Sequence, residues 1–389
     1  MPSIFYAGVN DRKTNLFESL WTLPIGVSYN SYIIKDKHNA LIDTADQAFS
    51  GEFLDNINTI LEGQKPEYLI INHLEPDHSG SVLAVKNRYP DIKIIGNSKT
   101  VAMLNSFYGH ISDTMIIEDG QELSLGSHTL KFYITPMVHW PETMMTYETS
   151  TQTLFSGDAF GCFGALNGGV CDDQTDSARY FSEMIRYYSA IVGKYGIQVQ
   201  KAITKFACVE IKAVCPTHGP VWKREIEKVI NLYSQLSQYD ARKGVTIVYG
   251  SMYGHTAATA EKLAYAINEL GVKNIEVFDL ARTDKSFALA SAFTYNTLLA
   301  GSPCYNAEIF PPVREFLHMI KERGLKNRFF GTFGDYSWAP AAFKKFDEFC
   351  DNMAWTKIEP SLYQKSGEPS EVSDEKIMAM ASAVAANCK

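Results

Sequence analysis

The stretch His73-Leu74-Glu75-Pro76-Asp77-His78 decides how this chain is interpreted. It places four possible metal ligands directly after the apolar run Tyr68-Leu69-Ile70-Ile71, which is typical of a buried strand. Charged side chains beside a buried strand are expensive to remove from water unless they share a cation or strong polar partners. The stretch therefore predicts a metal site at the end of a strand.

Three more candidate ligands follow strand-like segments later in the chain. They are His139 in Met-Val-His-Trp, Asp158 in Ser-Gly-Asp-Ala-Phe and His218 in Cys-Pro-Thr-His-Gly. Imidazoles and carboxylates are common metal ligands in proteins. If these side chains converge with His73, Glu75 and Asp77 at strand ends, they can hold two metal ions.

A second motif lies past the midpoint of the chain. Val245-Thr246-Ile247-Val248-Tyr249 predicts a buried strand, and it runs through Gly250-Ser251-Met252-Tyr253-Gly254-His255-Thr256 into a helical pattern. Backbone amides at a helix N-terminus, together with hydroxyl groups, can hold a phosphate there. The loop has no lysine of the kind that a nucleotide-binding P-loop requires, so we expect a monophosphate held by neutral donors.

Two later segments resemble further loops at strand ends. One is Gly301–Asn306 and the other is Gly331–Trp338. Ligands of open parallel sheets bind outside the carboxyl ends of the strands, and aromatic residues there can stack on a flat ring. The predicted cofactor contacts are Ser251, Met252, Tyr253, Gly254, His255, Thr256, Ser302, Pro303, Cys304, Tyr305, Asn306, Thr332, Phe333, Gly334, Asp335, Tyr336, Ser337 and Trp338.

The metal motif is similar in spacing to that of the metallo-β-lactamase superfamily, in which His-x-His-x-Asp-His is followed by distant His, Asp and His. Here Glu75 stands where the hydrolases place a second His. A carboxylate is a harder, anionic donor, so this exchange favours iron or manganese over zinc and a redox site over a hydrolytic one. The three later loops resemble the FMN loops of flavodoxins. Over essentially its whole length, the chain resembles a minimal flavodiiron protein.

This resemblance implies two irons and one FMN in each chain. One iron would be held by His73, Glu75 and His139, the other by Asp77 and His218, with Asp158 bridging them. These six residues would also be the catalytic ones. Whether His78 binds iron is left open, because the corresponding His is commonly displaced in the family.

The family reduces dioxygen to water, nitric oxide to nitrous oxide, or both. A reduced flavin and two ferrous ions together supply the four electrons that dioxygen needs, and two electrons suffice to couple two molecules of nitric oxide. Electron counting therefore does not choose between the gases. Tyr187 and Tyr188 are candidates for hydrogen bonding to bound oxygen.

The resemblance also implies an assembly and an electron donor. Family members pair head to tail, so that each flavin faces the diiron site of its partner, and we expect a homodimer or a tetramer. The expected donor is rubredoxin or a flavin reductase. Seven scattered cysteines contain no Cys-x-x-Cys, which excludes a rubredoxin-type centre within the chain.

Composition restricts the partners and the location. The net charge of −8 comes without a basic patch, which argues against binding to nucleic acid or to an anionic membrane. The N-terminus lacks the features of a signal peptide, and no apolar run is long enough to span a bilayer. We therefore expect a cytoplasmic protein.

The predicted fold class is α/β with two domains. Residues 1–242 are expected to form a metallo-β-lactamase-like αββα sandwich, and residues 243–389 a flavodoxin-like doubly wound parallel sheet. The polar stretch Asp240–Gly244 is the predicted junction. Parallel strands are predicted near 245–249, 274–278, 294–300, 328–331 and 355–359, and the Ser/Glu/Pro-rich tail after Ser361 is expected to become helical.

Two other functions stay open at this point. The first is a zinc hydrolase of the same fold that carries a flavodoxin-like module, which Glu75 argues against. The second is a flavin electron carrier or redox sensor with a lactamase-like docking scaffold, which the full ligand set argues against. Metal analysis distinguishes the first from a gas reductase, and gas consumption distinguishes the second.

Overall fold

The structure is a computed structural model that describes residues 3–366 and 368–388. The chain divides into two compact units. The first contains Met1–Tyr188 and Tyr195–Ser234, and the second contains Ser189–Lys194 and Gln235–Lys389. The domain boundary that the sequence predicts between residues 242 and 243 stays a prediction.

The first unit is built from short strands and flanking helices. Its strands are β1 Ile4–Tyr6, β2 Val9–Asp11, β3 Leu16–Phe17, β4 Trp21–Thr22, β5 Val27–Tyr29, β6 Tyr32–Ile34, β7 Ala40–Ile42, β8 Tyr68–Ile70, β9 Lys93–Gly96, β10 Thr114–Ile116, β11 Glu122–Ser124, β12 Thr129–Ile134, β13 Met144–Glu148, β14 Thr153–Gly157 and β15 Ala213–Pro216. Its helices are α1 Ser50–Leu61, α2 Pro76–Ser79, α3 Val82–Arg88, α4 Ser98–Tyr108, α5 Ala178–Tyr187, α6 Gly196–Lys205 and α7 Ile226–Gln238, the last of which ends in the second unit.

Two sheets face each other in this unit. The first has the strand order β1-β6-β7-β8-β9-β10, and the second has the order β11-β12-β13-β14-β15. Apolar side chains of both sheets form one buried cluster, with Ile42 and Ile70 from the first sheet and Phe132 and Phe155 from the second. Helix α1 buries Phe53, Ile57 and Leu61, and α4 packs on β9 and β10. This arrangement agrees with the predicted sandwich.

The metal motif lies where a buried strand of the first sheet ends. Strand β8 lies between β7 and β9 and runs parallel to both, so its residues are apolar on both faces. The chain then turns into the short helix α2, which begins with Pro76, a residue suited to the first position of a helix. Strands β14 and β15 are parallel neighbours in the second sheet, and Asp158 and His218 follow their ends. Strand ends from both sheets therefore carry the predicted ligands.

The second unit is a doubly wound parallel sheet. Its strands are β16 Arg242–Tyr249, β17 Ile275–Asp279, β18 Tyr295–Gly301, β19 Cys304–Tyr305, β20 Glu308–Ile309, β21 Phe329–Tyr336, β22 Thr356–Lys357 and β23 Leu362–Lys365, and its helices are α8 His255–Glu269, α9 Lys285–Thr294, α10 Pro311–Arg323, α11 Ala341–Met353 and α12 Ser370–Cys388. The order β17-β16-β18-β21-β22 is the flavodoxin order, and every pair in it is parallel. The predicted fold class is confirmed.

Two details of the second unit differ from the sequence prediction. Strand β21 continues to Tyr336, so most of the segment predicted as a third loop is strand. The segment after Ser361 is not only a tail before a helix, because β23 also pairs in parallel with β21. Strands β22 and β23 border the same neighbour on either side of Pro360, which lacks the N–H that a continuous ladder would need.

Arg328 is a buried cation that joins several backbone segments of the second unit. Its guanidinium donates to the carbonyl oxygens of Tyr239, Ala292 and Phe293, each at 2.9 Å. It also donates to the carbonyl of Lys326 at 2.7 Å. Burial lowers the pKa of Arg328 to about 10, so the group remains charged at neutral pH.

Among the described residues, no helix has the length and apolarity needed to cross a bilayer. The seven cysteines all lie in the described part of the chain, and none of them forms a disulfide.

Replacing the buried cation Arg328 should destabilise the second unit. Arg328→Met leaves buried carbonyl groups without a donor, which should lower the free energy of unfolding by about 3 kcal/mol. Urea unfolding of the full chain, followed by tryptophan fluorescence, measures the change. Lys321→Met removes an exposed cation and should stay within about 0.5 kcal/mol of the parent. Equal stability of the two variants would show that Arg328 does not hold these segments together.

Candidate metal centre and flavin site

Four predicted ligands meet in the first half of the metal site. The Nε2 atom of His139 lies 3.1 Å from Glu75 Oε2 and 3.0 Å from Asp158 Oδ2. The Nε2 atom of His73 lies 3.4 Å from each of the same two oxygens. Two imidazole nitrogens and two carboxylate oxygens therefore face one point.

A second group of ligands meets on the other side of Asp158. His218 Nε2 lies 3.2 Å from Asp77 Oδ2 and 3.6 Å from Asp158 Oδ1. His78 Nε2 lies 3.1 Å from Asp77 Oδ1 and 2.9 Å from Asp158 Oδ1. The structure thus places His78 inside this group, at the position that the sequence left open.

Asp158 connects the two groups because each of its carboxylate oxygens faces one of them. The side chain is 1% exposed, and those of His73 and His218 are fully buried. Within the described residues, His73 Nε2, Glu75 Oε2, both Asp77 oxygens and His218 Nε2 lack a hydrogen bond of acceptable geometry. Buried polar atoms that face each other without hydrogen bonds are suited to metal ions. The donor set therefore fits two cations bridged by Asp158.

Glu142 holds the imidazole of His73 in position. Its Oε1 atom lies 2.7 Å from His73 Nδ1 and accepts from the backbone N–H of Leu74 at 3.0 Å. This contact keeps the proton on Nδ1 and leaves Nε2 for a metal, as carboxylates behind metal-binding histidines do. Burial raises the pKa of Glu142, but the His73 ring outweighs it and the net shift is downward. Glu142 is therefore an anion that strengthens His73 as a donor.

Asp43 fixes the backbone that leads into the motif. Its carboxylate accepts from the backbone N–H of Asn72 at 2.7 Å and from the Asn72 side chain at 3.0 Å. It also accepts from the backbone N–H of His73 at 3.4 Å. Burial raises the pKa of Asp43 to about 6.

His218 is supported by neutral groups instead. Its Nδ1 atom donates to the carbonyl of Ser28 at 2.7 Å. The neighbouring backbone is held by Asn30, whose side chain donates to the carbonyls of Pro216 at 2.9 Å and Gly219 at 2.7 Å. A second donor to the Pro216 carbonyl is the Tyr32 hydroxyl, at 2.7 Å. The second imidazole therefore lacks the anionic support that His73 has.

An aromatic wall surrounds His218. The rings of Phe17 and Tyr187 each lie 5.5 Å from its imidazole. The Tyr187 hydroxyl is buried and has no hydrogen-bond partner within the described chain. The Tyr188 ring packs on Tyr233 at 5.1 Å, and its proposed role stays a prediction. The structure therefore places Tyr187 beside the predicted ligand His218.

Glu18 is a further acidic residue at this site. It lies in the turn between β3 and β4, and its Oε2 atom accepts from Trp21 Nε1 at 3.2 Å. Burial of the carboxyl group, followed by the neighbouring Glu75, raises the pKa of Glu18 to about 7. Nothing in the sequence around Glu18 indicates this proximity.

The predicted phosphate cradle forms the start of helix α8. Gly254 precedes the helix with a φ of +95°, a conformation that favours glycine. Within the described chain, no side chain caps the first turn of α8, so its backbone N–H groups can receive an anion. Ser251 Oγ accepts from Gly254 N at 3.1 Å and keeps its own proton for donation. These features fit the phosphate of FMN.

The other predicted flavin residues divide into exposed and buried groups. Tyr253 is 88% exposed and Trp338 is 89% exposed, so both can face a ring system. Phe333 is fully buried, and a Cβ atom on Gly301 would lie 2.2 Å from its ring. Asp335 lies beside α8, where its Oδ1 accepts from the Thr256 hydroxyl at 2.5 Å. The side chain of Phe333 therefore belongs to the core. Its predicted contact with the flavin is limited to its backbone.

Asp43 and Glu142, which support the candidate ligands, were not predicted from the sequence, although the sequence contains a signal for one of them. Asp43 follows the apolar run Ala40-Leu41-Ile42 in the same strand-then-acid pattern as the ligands. Glu142 follows His139 by three positions, but its partner is His73, which is 69 residues away. Only the first of these could have been found from local pattern.

Comparison with known proteins covers both units. Residues 27–219 match the family described as ODP family beta lactamase, and residues 247–376 match the flavodoxin family. The chain is 30% identical to the anaerobic nitric oxide reductase flavorubredoxin of Salmonella arizonae, over 82% of this chain and 67% of that protein.

Two solved structures are similar over almost the whole chain. The rubredoxin oxygen:oxidoreductase of Desulfovibrio gigas matches with a TM-score of 0.93 and 28% identity, over 99% of this chain and 96% of that one. The flavodiiron protein of Giardia intestinalis matches with a TM-score of 0.93 and 25% identity, over 100% and 96%.

Removing the anion behind His73 should weaken metal binding. Glu142→Gln keeps the shape of the side chain but removes its charge, and we expect iron affinity to fall by about 10- to 100-fold. Competition with a ferrous chelator measures the affinity. The control Glu118→Gln changes an exposed carboxylate and should leave it unchanged. Parent-like affinity in Glu142→Gln would mean that the carboxylate does not tune His73.

Proposed function

Because this chain belongs to the flavodiiron protein family, we propose that it reduces dioxygen to water, nitric oxide to nitrous oxide, or both. The cofactors are FMN in the second unit and two irons in the first. The proposed iron ligands are His73, Glu75, Asp77, His139, Asp158 and His218. The position of His78 beside Asp77 and Asp158 supports it as a further candidate. The proposed flavin contacts are the residues of the three segments at the ends of β16, β18 and β21.

One observation carries this proposal: two donor groups share Asp158, and one of them contains the carboxylate of Glu75. A carboxylate is a harder and anionic donor than an imidazole, so Glu75 favours iron or manganese over zinc and stabilises the higher oxidation state of the metal. The flavodoxin family match of residues 247–376 supports a flavin as the source of electrons.

The bound cofactors would supply four electrons and open coordination positions for the gas. The chain itself positions the ligands through Glu142 and Asp43 and excludes water with the aromatic wall beside His218. Tyr187 packs on His218, and burial raises the pKa of its hydroxyl, so it stays protonated at neutral pH and can donate a hydrogen bond to bound oxygen.

A further part of the proposal concerns partners and location. The relative from Desulfovibrio gigas is named for rubredoxin, and this chain has no Cys-x-x-Cys of its own, so an external rubredoxin or a flavin reductase would deliver electrons. We also propose a cytoplasmic location, which cysteines without disulfides support.

The function is tested by combining metal analysis with gas consumption. Protein produced with sufficient iron should contain two irons and one FMN per chain, and should consume dioxygen or nitric oxide when its flavin is reduced. Glu75→His should shift the bound metal toward zinc and abolish gas consumption while FMN stays bound, because only the ligand type changes.

The exposed substitution Glu118→His is the matched control and should retain iron and activity. Zinc in excess of iron in the parent protein would support the hydrolase alternative. Iron and FMN at full occupancy without consumption of either gas would leave an electron carrier or redox sensor as the function.

We propose a head-to-tail homodimer, alone or paired into a tetramer, in which the flavin of one chain serves the irons of its partner. Closed two-fold dimers are the commonest oligomers, and such pairing places two electron routes in each dimer.

The assembly can be tested by combining two inactive chains. One chain carries Asp77→Ala, and the other carries Ser251→Val with Thr256→Val.

A mixed dimer isolated with two tags would keep one flavin and one diiron site on opposite chains. It should recover up to about half of the parental activity, since one of two equivalent routes remains. Homodimers of each variant are the controls and should be inactive. A fully loaded mixed dimer without gas reduction would indicate that electrons travel within one chain.

A further inference from the structure

A cleft in the first unit lies outside both cofactor sites. It has a volume of about 460 Å³ and is bordered by β1 and β15. These are edge strands of the two facing sheets, so the sandwich is open where they meet. A cleft of this size is within the range that holds small molecules.

The floor of the cleft is apolar. Tyr32, Cys171, Cys215 and Val221 line it, and all four belong to the buried cluster between the sheets. An apolar molecule in the cleft would therefore extend the core of the sandwich and remove apolar surface from water, which is favourable.

The charged lining residues are both basic. Of the residues that the structure describes, Lys212 and Lys223 line the cleft, and no Asp or Glu does. Within the described chain, no carboxylate lies within 4.0 Å of Lys223 Nζ, and Lys212 has only an exposed contact of 3.8 Å with Glu210. The nearby Asp172 accepts instead from the backbone N–H groups of residues 223–225. The two ammonium groups are thus available to an anion.

Lys223 is also close to the floor. Burial raises the pKa of the Cys171 thiol, and the adjacent Lys223 ammonium acts in the opposite direction. The cation therefore lies at the boundary between the apolar floor and solvent. An anionic group could reach it while the rest of the molecule stays between the sheets.

From these contacts we propose that the cleft binds an amphipathic monocarboxylate. Its apolar body lies between the edges of the two sheets, and its carboxylate lies on Lys212 and Lys223. The occupant would contact Tyr6 and Tyr32, whose hydroxyls bond to Asn30 and to the carbonyl of Pro216, close to the metal ligand His218. The site is independent of gas reduction.

Calorimetric titration of the holoenzyme with decanoate tests the proposal. Decanoate should bind, and Lys212→Gln with Lys223→Gln should weaken it by about three- to tenfold, as expected for two exposed charge pairs. The control Lys99→Gln changes an exposed lysine outside the cleft and should have no effect. Val170→Trp places a large ring in the cleft and should abolish binding.

Decanol tests the charge, because it has a similar chain without the carboxylate, and it should bind more weakly than decanoate. Iron and FMN content, together with circular dichroism, verifies that each variant is folded. The proposal is overturned if decanoate does not bind at millimolar concentration, if decanol binds equally well, or if the double lysine variant or Val170→Trp binds decanoate like the parent. None of these results depends on gas consumption.

Discussion

The burial of Asp158 between two groups of imidazoles and carboxylates is the constraint on which the metal-binding unit depends. An ionised carboxylate in a protein interior is costly unless cations or strong donors surround it. The Thr217 hydroxyl donates to Asp158 at 2.5 Å. The two carboxylate oxygens of Asp158 also face imidazole nitrogens, one in each of the two groups. Two bound cations would meet this cost. Metal binding would therefore stabilise the sandwich.

The surrounding fold converts this constraint into a defined geometry. Ligands come from the ends of strands in both sheets, so closing the sandwich assembles the site. Behind the ligands, His73 is supported by the anionic Glu142, whereas His218 is supported by the neutral carbonyl of Ser28. An imidazole bonded to a carboxylate is the stronger donor, so the two metal positions are chemically unequal.

The flavin unit satisfies a different constraint. A phosphate would carry charge into a crevice of the sheet, and the predicted donors there are neutral: the N–H groups that begin α8 and the Ser251 hydroxyl. The crevice arises at the carboxyl ends of β16 and β18, where the strand order reverses. Glycine at position 250 is required, because a Cβ atom there would lie 2.6 Å from the ring of Phe310.

Local sequence was enough to predict the fold class, the candidate ligands at strand ends and the neutral loop proposed for the phosphate, because these features are encoded in short segments. Only the tertiary structure shows that His78 lies in the second group of candidate ligands, that Glu142 supports His73, and that Tyr187 packs against His218. It also shows that β23 follows β22 at the same edge of the second unit's sheet, where both strands pair with β21. These outcomes depend on how distant segments pack, and no local pattern of residues specifies which side chains then face each other.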